Sequence, residues 1–176
     1  MLSISSRKSS LRIAALLPGL LALAGCTGST SLPDREHAAE LSGVPFFAQE
    51  RYQCGPAALA TVLVYSDVAT NPDELVPLVY VPGRRGSFQA ELKAATRSVD
   101  RLPYELDGSL DTLLAEVRAG NPVLVLQNLG FGWLPKWHYA VVIGYDPGRN
   151  KILLRSGTQQ RRGEDTERFL YSWMLA

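Results

Sequence analysis

The chain has 176 residues, 46% of them hydrophobic, and a formal net charge of +1. That length suits one domain with a proper core and is short for two. The near-neutral balance excludes a nucleic-acid footprint, since Arg84/Arg85 and Arg161/Arg162 are isolated basic pairs of the kind solvated loops carry. A monomer without nucleic-acid partners is expected.

The chain opens on a targeting segment. Residues 1–25 combine a basic start with an apolar run from Leu11 to Leu23, broken by Pro18 and Gly19 and too short for a good membrane span. The sequence Leu23-Ala24-Gly25-Cys26 resembles the bacterial lipobox. That resemblance implies cleavage before Cys26 and acylation of its sulfur, which makes the lipid bilayer a partner. Thr27, with no aspartate at that place, implies the periplasmic face of the outer membrane. Loss of Arg7, Lys8 and Arg12 would leave 15 basic against 17 acidic residues, a charge of −2. Residues 26–43 are small and polar, as a tether should be, and His37 within them is assigned no role. The domain proper is expected over 44–176.

The stretch from Val44 to Val64, VPFFAQERYQCGPAALATVLV, sets the rest. Pro56 is tolerated only near a helix start, so Cys54 lies at a helix N-terminus, followed by an almost uniformly apolar and therefore buried helix. A helix N-terminus favours thiolate, and reactive cysteines are commonly placed there. Asn71-Pro72-Asp73-Glu74 starts a second, short helix to about Val79. Ser87 to about Val99 has Phe88, Leu92, Ala95 and Val99 on one helical face. Leu102 to Leu106 is a strand candidate. Ser109 caps a helix to about Arg118, stopped by Ala119-Gly120-Asn121-Pro122.

The second half is β-rich. PVLVLQN (122–128), WHYAVVIGY (137–145) and KILLR (151–155) make a meander, with a turn at residues 146–150. Thr166 to Leu175 is a final amphipathic segment. The fold class is α+β: N-terminal helices packed in two layers on a C-terminal antiparallel sheet.

With Cys26 acylated, Cys54 is the one free thiol of an exported chain, which suggests that its reactivity is wanted. His138, at a strand start on the edge of the sheet that carries the cysteine helix, can meet that thiol and form a nucleophilic pair with it. One thiol and one usable histidine fall short of a tetrahedral metal site. Phe131, Trp133, Trp137 and Tyr139, interspersed with Gly130 and Gly132, form either the wall of a peptide groove or part of the core.

VPFFAQERYQCGPAALATVL, followed by PVLVLQN and WHYAVVIGYD, resembles the papain-like, bacteriocin-processing (double-glycine) cysteine peptidase family, here in a lipoprotein branch. The resemblance implies a papain-like cysteine peptidase fold with Cys54 as nucleophile and His138 as general base. Gln49 would be the side-chain donor of the oxyanion hole, and no cofactor is needed for hydrolysis of a peptide or protein substrate. Two departures stand out. Gln49 lies five residues before the cysteine, not six. The place of the acidic or amide residue that orients the histidine is taken by Ser156, with Asn128 and Asp146 as other candidates for that role. A catalytically inactive binding domain, or an amide or acyl transferase using the same dyad, are the alternatives.

Overall fold

The computed structural model describes residues 37–49 and 53–176. The expected lipidation site, Cys26, lies outside them. One long strand, β3 (Trp137–Asp146), is the spine of a five-stranded antiparallel sheet. Strand β2 (Val123–Asn128) pairs with its first half, from Val123↔Val142 to Asn128↔Trp137. The two-residue β1 (Ala39–Glu40) pairs with its far end at Tyr145 and Gly144. On the other side lie β4 (Lys151–Ser156) and, outside it, β5 (Gln159–Asp165).

Side chains along β3 alternate between two cores as the pleat requires, up to a register irregularity between Val142 and Gly144 that puts Tyr145 on the second side. Tyr139, Val141 and Ile143 pack with Ala58, Leu59 and Leu63 of helix α1 (Cys54–Tyr65), and with Leu75 and Val79 of α2 (Pro72–Val79) and Leu92 of α3 (Gln89–Ser98). Ala140, Val142 and Tyr145 pack instead with Leu113 and Val117 of α4 (Leu110–Arg118) and Phe169 of α5 (Thr166–Met174). Helices therefore cover both faces, and the two expected layers become three. The helix starts follow the local chemistry of the chain: Asn71 Oδ1 accepts from the Glu74 N–H, and Ser109 Oγ from the Thr112 N–H, each at 3.1 Å.

Three expectations are corrected, and one strand is added. Leu102–Leu106 is not a strand among the described residues: Pro103 has no N–H to give a ladder, and Leu102 and Tyr104 are exposed. The helix expected from Ser87 begins at Gln89. Part of the stretch read as tether enters the sheet, since Ala39–Glu40 pairs with β3 and the Leu41 N–H donates to Ile143 O. Strand β5, QQRRGED, was not expected at all.

Candidate active site

The N-terminus of α1 and the first residues of β3 meet at one corner of the domain. Cys54 is the first residue of α1 and half-buried, and the N-cap Gln53 makes no side-chain capping bond. Gly55 is fixed by packing. A Cβ there would lie 2.6 Å from Ser87 Cβ and 3.7 Å from Tyr139 Cδ2, so the chain after the 81–86 turn can lie against the helix start only over a glycine.

His138 is the second residue of β3, opposite Gln127 of β2. Alternation puts it on the side of Ala140 and Val142, away from Tyr139, and its Nε2 is 2.9 Å from the hydroxyl of the buried Ser156. Gln49 is fixed at the same corner: its Oε1 accepts from the Gly157 N–H (3.1 Å), its backbone N–H donates to Gly157 O (3.0 Å), and its Nε2 donates to Tyr139 O (3.4 Å). Among the described residues, one amide hydrogen of Gln49 stays uncommitted. The structure thus brings Gln49, His138 and Ser156 together. It does not join Cys54 to His138 by a hydrogen bond, and Cys54 approaches the corner from the α1 side, beside Tyr139.

The other candidate orienting residues lie elsewhere. Asn128 Oδ1 accepts from the Gly130 and Lys136 N–H groups and so shapes the loop between β2 and β3. Asp146 accepts from the Arg149 N–H and caps a turn. Of the aromatic group, only Tyr139 is core; Phe131, Trp133 and Trp137 are exposed.

Burial, then the charges of Arg162 and Lys136, pushes the His138 imidazole down from 6.5 to about 4. No carboxylate opposes them, because Ser156 supplies a neutral hydroxyl. The unfolded chain therefore takes up a proton on this residue before the fold does, and stability rises with pH between the two values. The contribution is complete above about pH 6.5 and lost as pH falls to about 4, with a size on the order of 3 kcal/mol. Urea midpoints at pH 7 and pH 4.5 are expected to differ by less in His138→Asn than in the parent chain. An equal difference in both would remove His138 from the account.

Residues 41–174 match the Peptidase C39-like family. The chain belongs to that family. Among solved structures it is similar to a Bacillus anthracis protein described as a C39-like peptidase, at 19% identity and TM-score 0.62, over 79% of this chain and 93% of that one. It is also similar to a double glycine motif protease from an AMS/PCAT transporter in complex with the leader peptide, at 19% identity and TM-score 0.56, over 77% and 91%. A third is the peptidase domain of Streptococcus ComA, a bifunctional ABC transporter involved in quorum sensing, at 19% identity and TM-score 0.57, over 78% and 93%. No curated protein matches. At that identity the structures show the fold alone, a mixture of helices and curled antiparallel sheet.

Within this C39-like chain, Tyr139 has two neighbours, Ser87 and Glu91, that carried no functional signal in the sequence. The Tyr139 phenol is pushed up to about 12, by burial first and then by the charges of Cys54 and Glu91, and it donates to Ser87 O at 3.3 Å. Ser87 Oγ and Glu91 Oε2 are both buried and have no hydrogen-bond partner among the described residues. Nothing in an amphipathic helix pattern marks Ser87 or Glu91. A second polar group, Gln127 Nε2 donating to Glu164 Oε2 (3.2 Å) and Ser172 Oγ (2.7 Å), was hidden because it needs β5. Beside α1, a cleft of about 830 Å³ runs between α1, α3 and β2, lined by Leu63, Leu92, Leu124 and Leu126 and reaching Tyr139.

Proposed function

We propose that the chain is a cysteine peptidase that hydrolyses peptide bonds through a Cys54 thioester, held at the cell envelope by an acylated Cys26. The observation that carries this reading is the convergence of His138 on the Ser156 hydroxyl and of Gln49 on the adjoining Gly157 backbone, beside the first turn of the helix that begins at Cys54. The double glycine motif protease to which the chain is similar is in complex with the leader peptide, which supports a peptide substrate here.

With Nε2–H donated to Ser156, His138 Nδ1 carries the lone pair. It takes the Cys54 proton as Sγ attacks the carbonyl carbon. The tetrahedral oxyanion is held by the Cys54 N–H and the uncommitted Nε2 hydrogen of Gln49, one such donor being worth about 3 kcal/mol. As the C–N bond breaks, Nδ1 gives the proton to the leaving amine. Water, deprotonated by the same nitrogen, then hydrolyses the thioester and restores the thiol. Catalytic hydrogen bonds such as that from thiol to imidazole are often long without substrate and tighten when it binds. The apolar cleft along α1 is suited to holding the peptide.

A second reading, a C39-like domain that binds a peptide or envelope protein without cutting it, is favoured by the imidazole held at about 4 among two cations. The test is the rate of Cys54 alkylation against pH in the Cys26→Ser chain, with and without His138→Ala. Under the peptidase reading, removal of His138 lowers thiol reactivity near pH 7 by about tenfold or more. A thiol that is unreactive, or indifferent to His138, supports the binding domain. Amide or acyl transfer by the same dyad would be seen as new amide formed when an acceptor amine is supplied.

A further inference from the structure

The loop between β2 and β3, residues 129–137, is an ordered protrusion. Asn128 Oδ1 ties down the Gly130 and Lys136 N–H groups, the Leu129 N–H donates to Lys136 O, and Phe131 and Leu134 exchange backbone hydrogen bonds. Gly130 is so closed in that a Cβ would come within 2.9 Å of Lys136 N. This rigid frame turns apolar groups outward: Phe131 is 62% exposed, Trp133 81%, Leu134 61% and Trp137 52%. Phe131 and Trp133 stack on each other at 5.8 Å, already desolvating one another on one side. The loop holds one cation, Lys136, and no acidic residue. A contiguous apolar patch of this kind on a soluble surface marks an interaction site.

We infer that this hairpin docks onto a lipid bilayer surface and sets the Cys54–His138 corner at the membrane interface. Tryptophans with leucine, phenylalanine and a lysine, and no carboxylate, are the composition of interfacial anchors, whose apolar face enters the headgroup region by about 5–10 Å. The patch lines neither the α1 cleft nor the shallower depression near Gln53, so it is a projection and not a peptide groove. The reach of the chain agrees. Along β3, Trp137 and Tyr145 are about 26 Å apart, and β1 enters beside Tyr145. The stretch from Cys26 to Ala39 spans up to about 45 Å when extended, so a lipid on Cys26 leaves the hairpin free to turn to the bilayer. The inference rests on no step at Cys54.

The experiment uses the full chain in phosphatidylethanolamine/phosphatidylglycerol vesicles with brominated acyl chains, which quench tryptophans that enter them. In Trp173→Phe the emission comes from Trp133 and Trp137 alone, and it is expected to shift blue and fall by about half. In the Trp133→Phe/Trp137→Phe chain, which keeps Trp173 on α5 and the same N-terminal segment, emission is expected to be unchanged by bromine. Equal emission of Trp173→Phe in brominated and ordinary vesicles would overturn the inference. So would a blue shift produced by an apolar peptide in solution without quenching in vesicles, which would assign the patch to a protein partner.

Discussion

Cys54→Ala is expected to lower peptide hydrolysis by about 10⁴-fold or more, to the level of the uncatalysed background, while the melting temperature stays within a few degrees of the parent. The two halves of that result have separate causes. Catalysis is lost because the covalent route needs a nucleophile, and no other thiol lies in the described part of the chain. The fold is kept because the sulfur only borders the first core, is half-buried and makes no hydrogen bond, and because alanine is the best helix former for the position. The loss is therefore expected to stay near 1 kcal/mol. Thermal unfolding and turnover measured on one preparation decide it. A drop of ten degrees or more would identify Cys54 as a packing residue and leave the reading without its nucleophile.

The sequence made the catalytic candidates legible because their local signals are strong. Cys54 is followed by Gly55 and Pro56, which mark the helix start, and the structure begins α1 at Cys54. Ser156 was reached through the family resemblance, as the residue in the place of the orienting group on the next strand, and lies 2.9 Å from His138. What could not be read was the side on which each group stands. His138 and Tyr139 are neighbours in sequence and point to opposite faces of β3, and only the pairing register tells which face meets α1.

The same limit explains β5. Its buried position is Glu164, made tolerable by Gln127 of β2 and by Arg162 of β5 itself, so the strand carries no apolar alternation. Leu102–Leu106 fails in the opposite sense: it alternates on paper, but Pro103 denies it a ladder and its apolar side chains stay outside. Local patterns report what a segment can do by itself; partners supplied from distant strands leave no trace in them.

Ser156→Asp is expected to raise turnover at pH 7 by about tenfold, and to move the acidic limb of its pH profile upward. In the parent chain His138 is held at about 4, and a base that low has given up about 3 kcal/mol of proton affinity relative to free imidazole. The weakness comes from burial and from Arg162 and Lys136, with no negative charge to offset them. A carboxylate at position 156 would face Nε2 where the hydroxyl now does, and would stabilise the imidazolium formed when the thiol proton is taken. Burying that charge is costly at a residue only 2% exposed, but the imidazolium and the Arg162 guanidinium both compensate it. The acid sensitivity of the fold should reverse its sign at this group. With the folded value raised above 6.5, His138 would add stability below that pH and lose it as pH rises, the opposite of the parent. Turnover profiles and urea midpoints across pH 4 to 8 measure both effects on the same variant. A collapse of activity in a stably folded Ser156→Asp chain would mean that the hydroxyl itself moves a proton, a role only a group able both to donate and to accept can fill.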